Sequence, residues 1–292
     1  MGIKSILQNI YLCDKSIYQR MEKIKPSISD NVADTLFITV YMRALDAQQK
    51  HPVLNDTQSL KLMYRIDYPF EKYSGTKVMS RIGTCVRLKY IDKQLEEFIA
   101  THENVVVVNI GCGLDDRYNR VKNASKVIFY ELDLPESIKL REQLMQTHRN
   151  QFLIPDSAFE TGWLDKLKEK HPNSNFIFIS EGVFMYFPEE KVKNLLCAIA
   201  ERFPNARILF DGLSEYLSHQ SDKHDTLRNA KAVFEWGFDD NRIFERWDPR
   251  LKLDKVFYIM HGMRPYNFMV RLISYIPVFG KGSKVISLTV CN

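Results

Sequence analysis

Several kinds of chemistry are missing from this chain. Its five cysteines, at positions 13, 85, 112, 197 and 291, show no CxxC spacing and no regular pairing. That argues against a disulfide framework and against a structural zinc site. The seven histidines form no HxxxH pair and no His/Cys cluster, so no metal is expected. No apolar run is long enough to span a bilayer and no leader-like segment is visible, so the thiols read as reduced and the protein as cytoplasmic. Lysine and arginine exceed aspartate and glutamate by only 41 to 36, spread over 292 residues without a basic block. Nucleic acid and membrane surfaces therefore have no support as partners. Repeats and low-complexity segments are absent too.

What the chain does have is the stretch Val105 to Asp133, VVVVNIGCGLDDRYNRVKNASKVIFYELD. Val105 to Ile110 is a β-branched apolar run of the kind buried on both faces of a parallel sheet. Gly111-Cys112-Gly113 breaks it, a weakly helical stretch runs to Val121, and a second strand from Lys126 to Tyr130 leads into Glu131 and Asp133. Strand, glycine turn, helix, strand and acid make a nucleoside-binding βαβ unit, with the carboxylate placed to accept from ribose hydroxyls. A dinucleotide would set its pyrophosphate on the helix N-terminus and calls for a third glycine. Asp116 stands there instead, after Asp115. Two carboxylates repel a pyrophosphate and suit a phosphate-free ligand with a positive end, such as S-adenosylmethionine. They would equally serve as helix caps.

Ahead of this unit the sequence predicts helices from Ser29 or Asp30 to Leu45, from Asn55 to Ile66 and from Thr76 to Thr101, each with an apolar stripe. Residues 1–100 thus read as a helical cover and 101–292 as the ligand-binding domain, with a seam near Thr101 to Asn104. Beyond the βαβ unit, strands are expected at 151–154, 175–180 and 206–211, alternating with helices that begin at Pro135, Glu160 and Pro188. This alternation argues an α/β, doubly wound, mostly parallel sheet. Residues 214–250 read as a helical insertion, and 251–260 and 284–290 as two further strands forming a hairpin-like edge.

Three segments in order, NIGCGLDDRYNRV, YELDLPESIKLREQL and SEGVFMYFPEEKVKNLLCAIAERFP, resemble the motifs of the leucine carboxyl methyltransferase superfamily. The tail segment FEWGFDDNRIFERWDP, following FDGLSEY, is similar to the bacterial O-methyltransferases like the tetracenomycin polyketide synthesis enzyme. The resemblance spans about Asn31 to Asp254. It implies a seven-stranded, Rossmann-like methyltransferase sheet and S-adenosylmethionine-dependent O-methylation, often of a carboxylate. By motif, Gly111 and Gly113 are the cofactor turn and Asp133 holds the ribose. Arg87 pairs with the cofactor carboxylate, and Glu181 lies beside its amino-acid moiety. Glu160 stands where the family has the aspartate that contacts the adenine amino group, with Ser157 able to share that role.

Tyr186 and Arg43 are the candidate acceptor-binding residues; Phe184 and Arg81 are weaker ones, and Tyr11, Tyr18, Tyr64 and Tyr73 are candidate lid residues. A carboxylate acceptor is ionised at neutral pH and needs no general base, so no catalytic side chain is assigned. A phenol would call for a base, for which His219, His224 and His261 lie in the right half of the chain. The acceptor is a small molecule or a peptide carboxylate. A nicotinamide-dependent oxidoreductase and a non-catalytic binding protein that kept the fold are the alternatives.

Overall fold

The computed structural model describes residues 22–75, 78–220 and 232–292. Seven strands form one sheet: β1 Val105–Ile110, β2 Ile128–Asp133, β3 Gln151–Pro155, β4 Asn175–Ser180, β5 Arg207–Leu213, β6 Leu251–Tyr258 and β7 Ser283–Val290. Their order is β3-β2-β1-β4-β5-β7-β6. The first five run parallel, and β7 inserts antiparallel to both β5 and β6. The order turns back on itself at β1, which pairs with β2 on one side and β4 on the other. Connections leave β1 and β4 toward opposite sides at such a switch point, and a crevice opens at the strand carboxyl ends.

The alternation along β1 divides the core. Val106, Val108 and Ile110 join the helices Gly162–Lys170 (α6) and Glu189–Arg202 (α7) through Trp163, Leu164, Leu195 and Ile199. Val105 and Val107 face the other way, onto Ile82, Val86, Ile91 and Leu95 of the long helix Val78–Thr101 (α3). A third cluster lies over the strand ends, where Phe37 and Val40 of Leu36–Ala47 (α1) and Leu62 of Thr57–Arg65 (α2) meet Leu114, Leu140, Met185 and Tyr186. The expected long first helix starts later than its periodicity predicts. Asp30 Oδ1 instead accepts from the Val32 and Ala33 amides at 2.8 Å, and Glu136 holds Ser29 and Asp30 from 106 residues away.

Two further elements differ from the sequence reading. The helix after the glycine turn (α4) is only Arg117–Arg120. The two edge strands are neighbours, but three short helices separate them, Ile259–Met263 (α10), Phe268–Ile273 (α11) and Pro277–Gly280 (α12). In the 214–250 region the described residues hold Glu215–Ser218 (α8) and Ile243–Trp247 (α9). The helix that starts at Pro135 (α5) runs to Leu144. No helix among the described residues is long and apolar enough to cross a membrane.

Candidate active site

Gly111 follows β1 in a left-handed conformation, φ +68°, and its amide donates to Leu132 O at 2.8 Å. A Cβ there would lie 2.3 Å from Val183 Cγ2, so both the backbone and the neighbouring loop require glycine. Gly113, φ +47°, donates its amide to Asp133 Oδ2 at 2.7 Å, and the Leu134 amide donates to Oδ1 at 2.7 Å. The Asp133 carboxylate at the end of β2 is thereby fixed. Burial raises its pKa against the lowering effect of those two amides.

β4 delivers Glu181 at the same level of the sheet, and Gly182, φ +72°, turns the chain away. Arg87 crosses from α3 to contact Glu181 and to pair with Asp211 Oδ2 at 2.9 Å, while Asp211 Oδ1 accepts from the Gly182 amide at 2.7 Å. Burial pushes the Glu181 carboxyl up and Arg87 opposes it. The Arg87 Nε is buried without a hydrogen-bond partner. Gly111, Gly113, Asp133 and Glu181 line a cavity of about 420 Å³, together with Asp156, Ser157 and Glu160. A second cavity of about 310 Å³ holds Arg87 and Tyr186 among apolar residues such as Ile38, Met185, Met260 and Met263. Thr35, Thr39 and Gly182 line both. Two adjacent chambers of this size suit one ligand each.

All eight residues singled out from sequence line one chamber or the other around the strand ends. Glu160 reaches the first chamber but is solvent-exposed. Asp156, which sequence reasoning passed over, sits deeper. It follows the last residue of β3 just as Asp133 ends β2, its amide donates to Asp133 O at 3.0 Å and its Oδ1 accepts from the Ser157 amide at 2.8 Å. The repeated pattern of an acid at a strand end was the available signal.

Arg43 is placed differently from expectation. It borders the first cavity, yet its guanidinium is spent on Asp56 at 2.6 Å, Asp115 at 3.3 Å and Leu114 O at 3.1 Å, all buried. Nothing is left to grip an anionic acceptor. Arg81 is likewise taken by Asp46 at 3.0 Å. Asp115 does not face a ligand as a bare charge either. It is ringed by Arg120 at 2.6 Å, Arg117 at 3.1 Å and Arg43. Burial alone would raise its pKa, but the guanidinium groups hold it far below the usual carboxylate range. What disfavours a pyrophosphate is instead the one-turn helix that follows, too short to present a strong dipole.

Tyr73 is buried among aromatic rings, and Tyr11 and Tyr18 lie outside the described residues. Phe184 is core. His219 is exposed, with Nδ1 2.7 Å from Glu215 O, and His224 lies outside the described residues. Among the described residues no histidine lines either cavity.

The family model for leucine carboxyl methyltransferase matches residues 28–200. The chain belongs to the leucine carboxyl methyltransferase family. It is 30% identical over 224 residues to the tetracenomycin polyketide synthesis O-methyltransferase TcmP of Streptomyces glaucescens, covering 77% of this chain and 82% of that one. It is 27% identical over 246 residues to the S-adenosyl-L-methionine-dependent methyltransferase dpfgK of Gibberella zeae, covering 78% and 82%. A candidate methyltransferase from Thermobifida fusca shares the fold of this family member, with TM-score 0.51 at 11% identity over 87% of this chain and 95% of that one. The matched residues 28–200 run from the segment before α1 into the last turn of α7, and so include the glycine turn, Asp133, Asp156 and Glu181.

Proposed function

We infer that this chain is an S-adenosylmethionine-dependent O-methyltransferase that acts on a carboxylate, or failing that a phenol, of a small apolar molecule or a peptide end. The observation that carries the reading is the pair of adjacent chambers, one lined by carboxylates fixed at strand ends and one by apolar side chains. The first chamber fits the cofactor by the chemistry of its donors. Asp133 would accept from the ribose hydroxyls, Asp156 from the adenine amino group and Glu181 from the ammonium. Gly111 leaves room where any side chain would collide with Val183. Arg87 would meet a carboxylate through its Nε, which neither Glu181 nor Asp211 takes up.

When bound, S-adenosylmethionine supplies a sulfonium methyl group that a nucleophilic oxygen can displace in line. The chain's part is to position and to dry the site. Thr35 and Thr39 stand where the chambers meet, and Ile38, Met185, Met260 and Met263 exclude water from the second. Burial raises the Tyr186 pKa, so its hydroxyl stays protonated and serves as a hydrogen-bond donor rather than a base. With no histidine lining either chamber among the described residues, an acceptor already ionised at neutral pH is favoured over a phenol. The O-methyltransferase name of the Streptomyces relative agrees with oxygen as the nucleophile.

The test uses methyl-labelled S-adenosylmethionine with a panel of apolar aromatic acids, phenols and peptides bearing free carboxyl ends. Label released by mild base is expected, the mark of a methyl ester. Base-stable label assigns the phenol instead. A chain that binds S-adenosylhomocysteine but labels nothing in the panel would support the non-catalytic alternative.

A further inference from the structure

Eight of the twelve exposed large apolar side chains among the described residues fall between Tyr266 and Phe279. Tyr266 precedes α11, and the other seven sit on α11, α12 and the turn between them. Helices usually turn an apolar stripe inward, and here the order is reversed. Phe268, Met269 and Leu272 of α11 lie within about a third of the helical circumference and face solvent together with Tyr275 and Ile276 of the following turn, with Phe268 71% and Tyr275 68% exposed. Val270, on the opposite side, is wholly buried. The turn is held in this attitude by Ser274 N to Val270 O at 2.9 Å and by Arg264 Nε to Ser274 Oγ at 2.8 Å.

The segment that carries the stripe has charge of one sign. From Lys255 to Asn292 the sequence contains no aspartate or glutamate, but it has Lys255, Arg264, Arg271, Lys281 and Lys284. Arg271 and Lys281 are exposed on and beside α11 and α12, and Lys89 of α3 adds a cation against Tyr266. Protruding aromatic and aliphatic side chains flanked by the exposed cations Arg271 and Lys281 match an anionic lipid surface, where apolar side chains enter the interface and cations meet the headgroups. A second copy of the chain fits poorly, because two such faces would bring like charges together.

We propose that α11, α12 and their connecting turn form a docking surface for anionic membranes. The surface lies next to the apolar chamber, whose lining includes Phe279, Met260 and Met263. This goes beyond the mild average charge, from which membrane contact is not expected, because the cations here lie in a segment without acids beside exposed apolar side chains.

Co-sedimentation of the full chain with vesicles decides it, without reference to methyl transfer. The chain should pellet with vesicles of equal parts phosphatidylcholine and phosphatidylglycerol, at least tenfold better than with phosphatidylcholine alone, and raised salt should weaken the binding. Replacing Phe268, Leu272 and Tyr275 with serine should reduce it at least tenfold, and R271E with K281E should do the same by the other route. All five side chains are exposed, and unchanged thermal unfolding would confirm that the variants fold. Absence of binding to the anionic vesicles, or binding unmoved by either variant, overturns the proposal. So does a concentration-dependent dimer in size exclusion that the three serine substitutions dissolve, since it would assign the stripe to a second copy.

Discussion

Asp133 and Glu160 are the residues whose replacement separates a buried ligand contact from an exposed one. Asp133 is anchored by two amides and reaches the first chamber, and hydrogen bonds to a charged group contribute about 1.5–3 kcal/mol each. Asp133→Ala should lower S-adenosylhomocysteine affinity in calorimetric titration by about a hundredfold or more, since each 1.4 kcal/mol is about tenfold. Glu160→Ala should change it little and Asp156→Ala more. Equal losses at Asp133 and Glu160 would move the ribose contact elsewhere. Gly111→Ala meets two obstacles, a left-handed φ that costs an alanine about 1–2 kcal/mol and a collision with Val183. Adding Val183→Ala should recover the collision but not the backbone cost, which a double-mutant cycle on stability would resolve. Lys284 offers a test through pH. Burial lowers its pKa from 10.5 to about 8, although Asp239, Asp240 and Glu215 pull the other way. Between those values the unfolded chain holds a proton that the folded one has released, so stability should rise with pH through that window. In Lys284→Met the penalty is gone. Its melting temperature should exceed that of wild type near pH 7.5, and the gap should close toward pH 10.5.

At the scale of elements, the cofactor turn is braced from behind by a buried network that joins α1, α2, α3 and α4. Arg117 is central to it, with Asp92 at 2.9 Å, Asn109 Oδ1 at 2.6 Å and Asp115 at 3.1 Å. Breaking one partner of such a set costs about 3–5 kcal/mol, because it leaves a buried charge uncompensated. Arg117→Leu should lose that much in denaturant unfolding, and Asp115→Leu on top should restore part of it. Asp115 titrates far below 3.8, so its share of the stability is intact above that pH and falls away below it. None of this was legible in the sequence. β1, β4 and the glycine turn were, since a continuous β-branched run and a double glycine have few other uses. The partners of Arg43 and Asp115 lie up to 72 residues apart, and local pattern carries no record of them. The start of α1 shifted for the same reason, through Glu136. The stripe on α11 is visible as a pattern, but whether a helical stripe turns inward or outward is decided by what the rest of the fold has already covered.

For the whole molecule, the open matter is how residues 22–100 relate to the sheet. The sequence placed a seam near Thr101, where helices give way to strands. Across that seam, however, α3 shares a core with β1, β4 and β5 through Val86, Leu95, Val107, Ile177 and Leu209. α1 closes over the strand ends through Phe37, Leu114 and Met185. Arg87 ties α3 to Glu181 and Asp211 as well. We propose that the N-terminal helices are an integral layer of the cofactor site rather than a separable cover, because their removal would uncover one face of the sheet and unpair two buried carboxylates. Calorimetry of the full chain should then show one transition, with calorimetric and van't Hoff enthalpies in agreement. S-adenosylhomocysteine should raise that transition as a whole by mass action, and NAD should leave it where it is. Two transitions, with the ligand moving only the later one, would mean that the helical segment unfolds on its own and that the site is built by residues 101–292 alone.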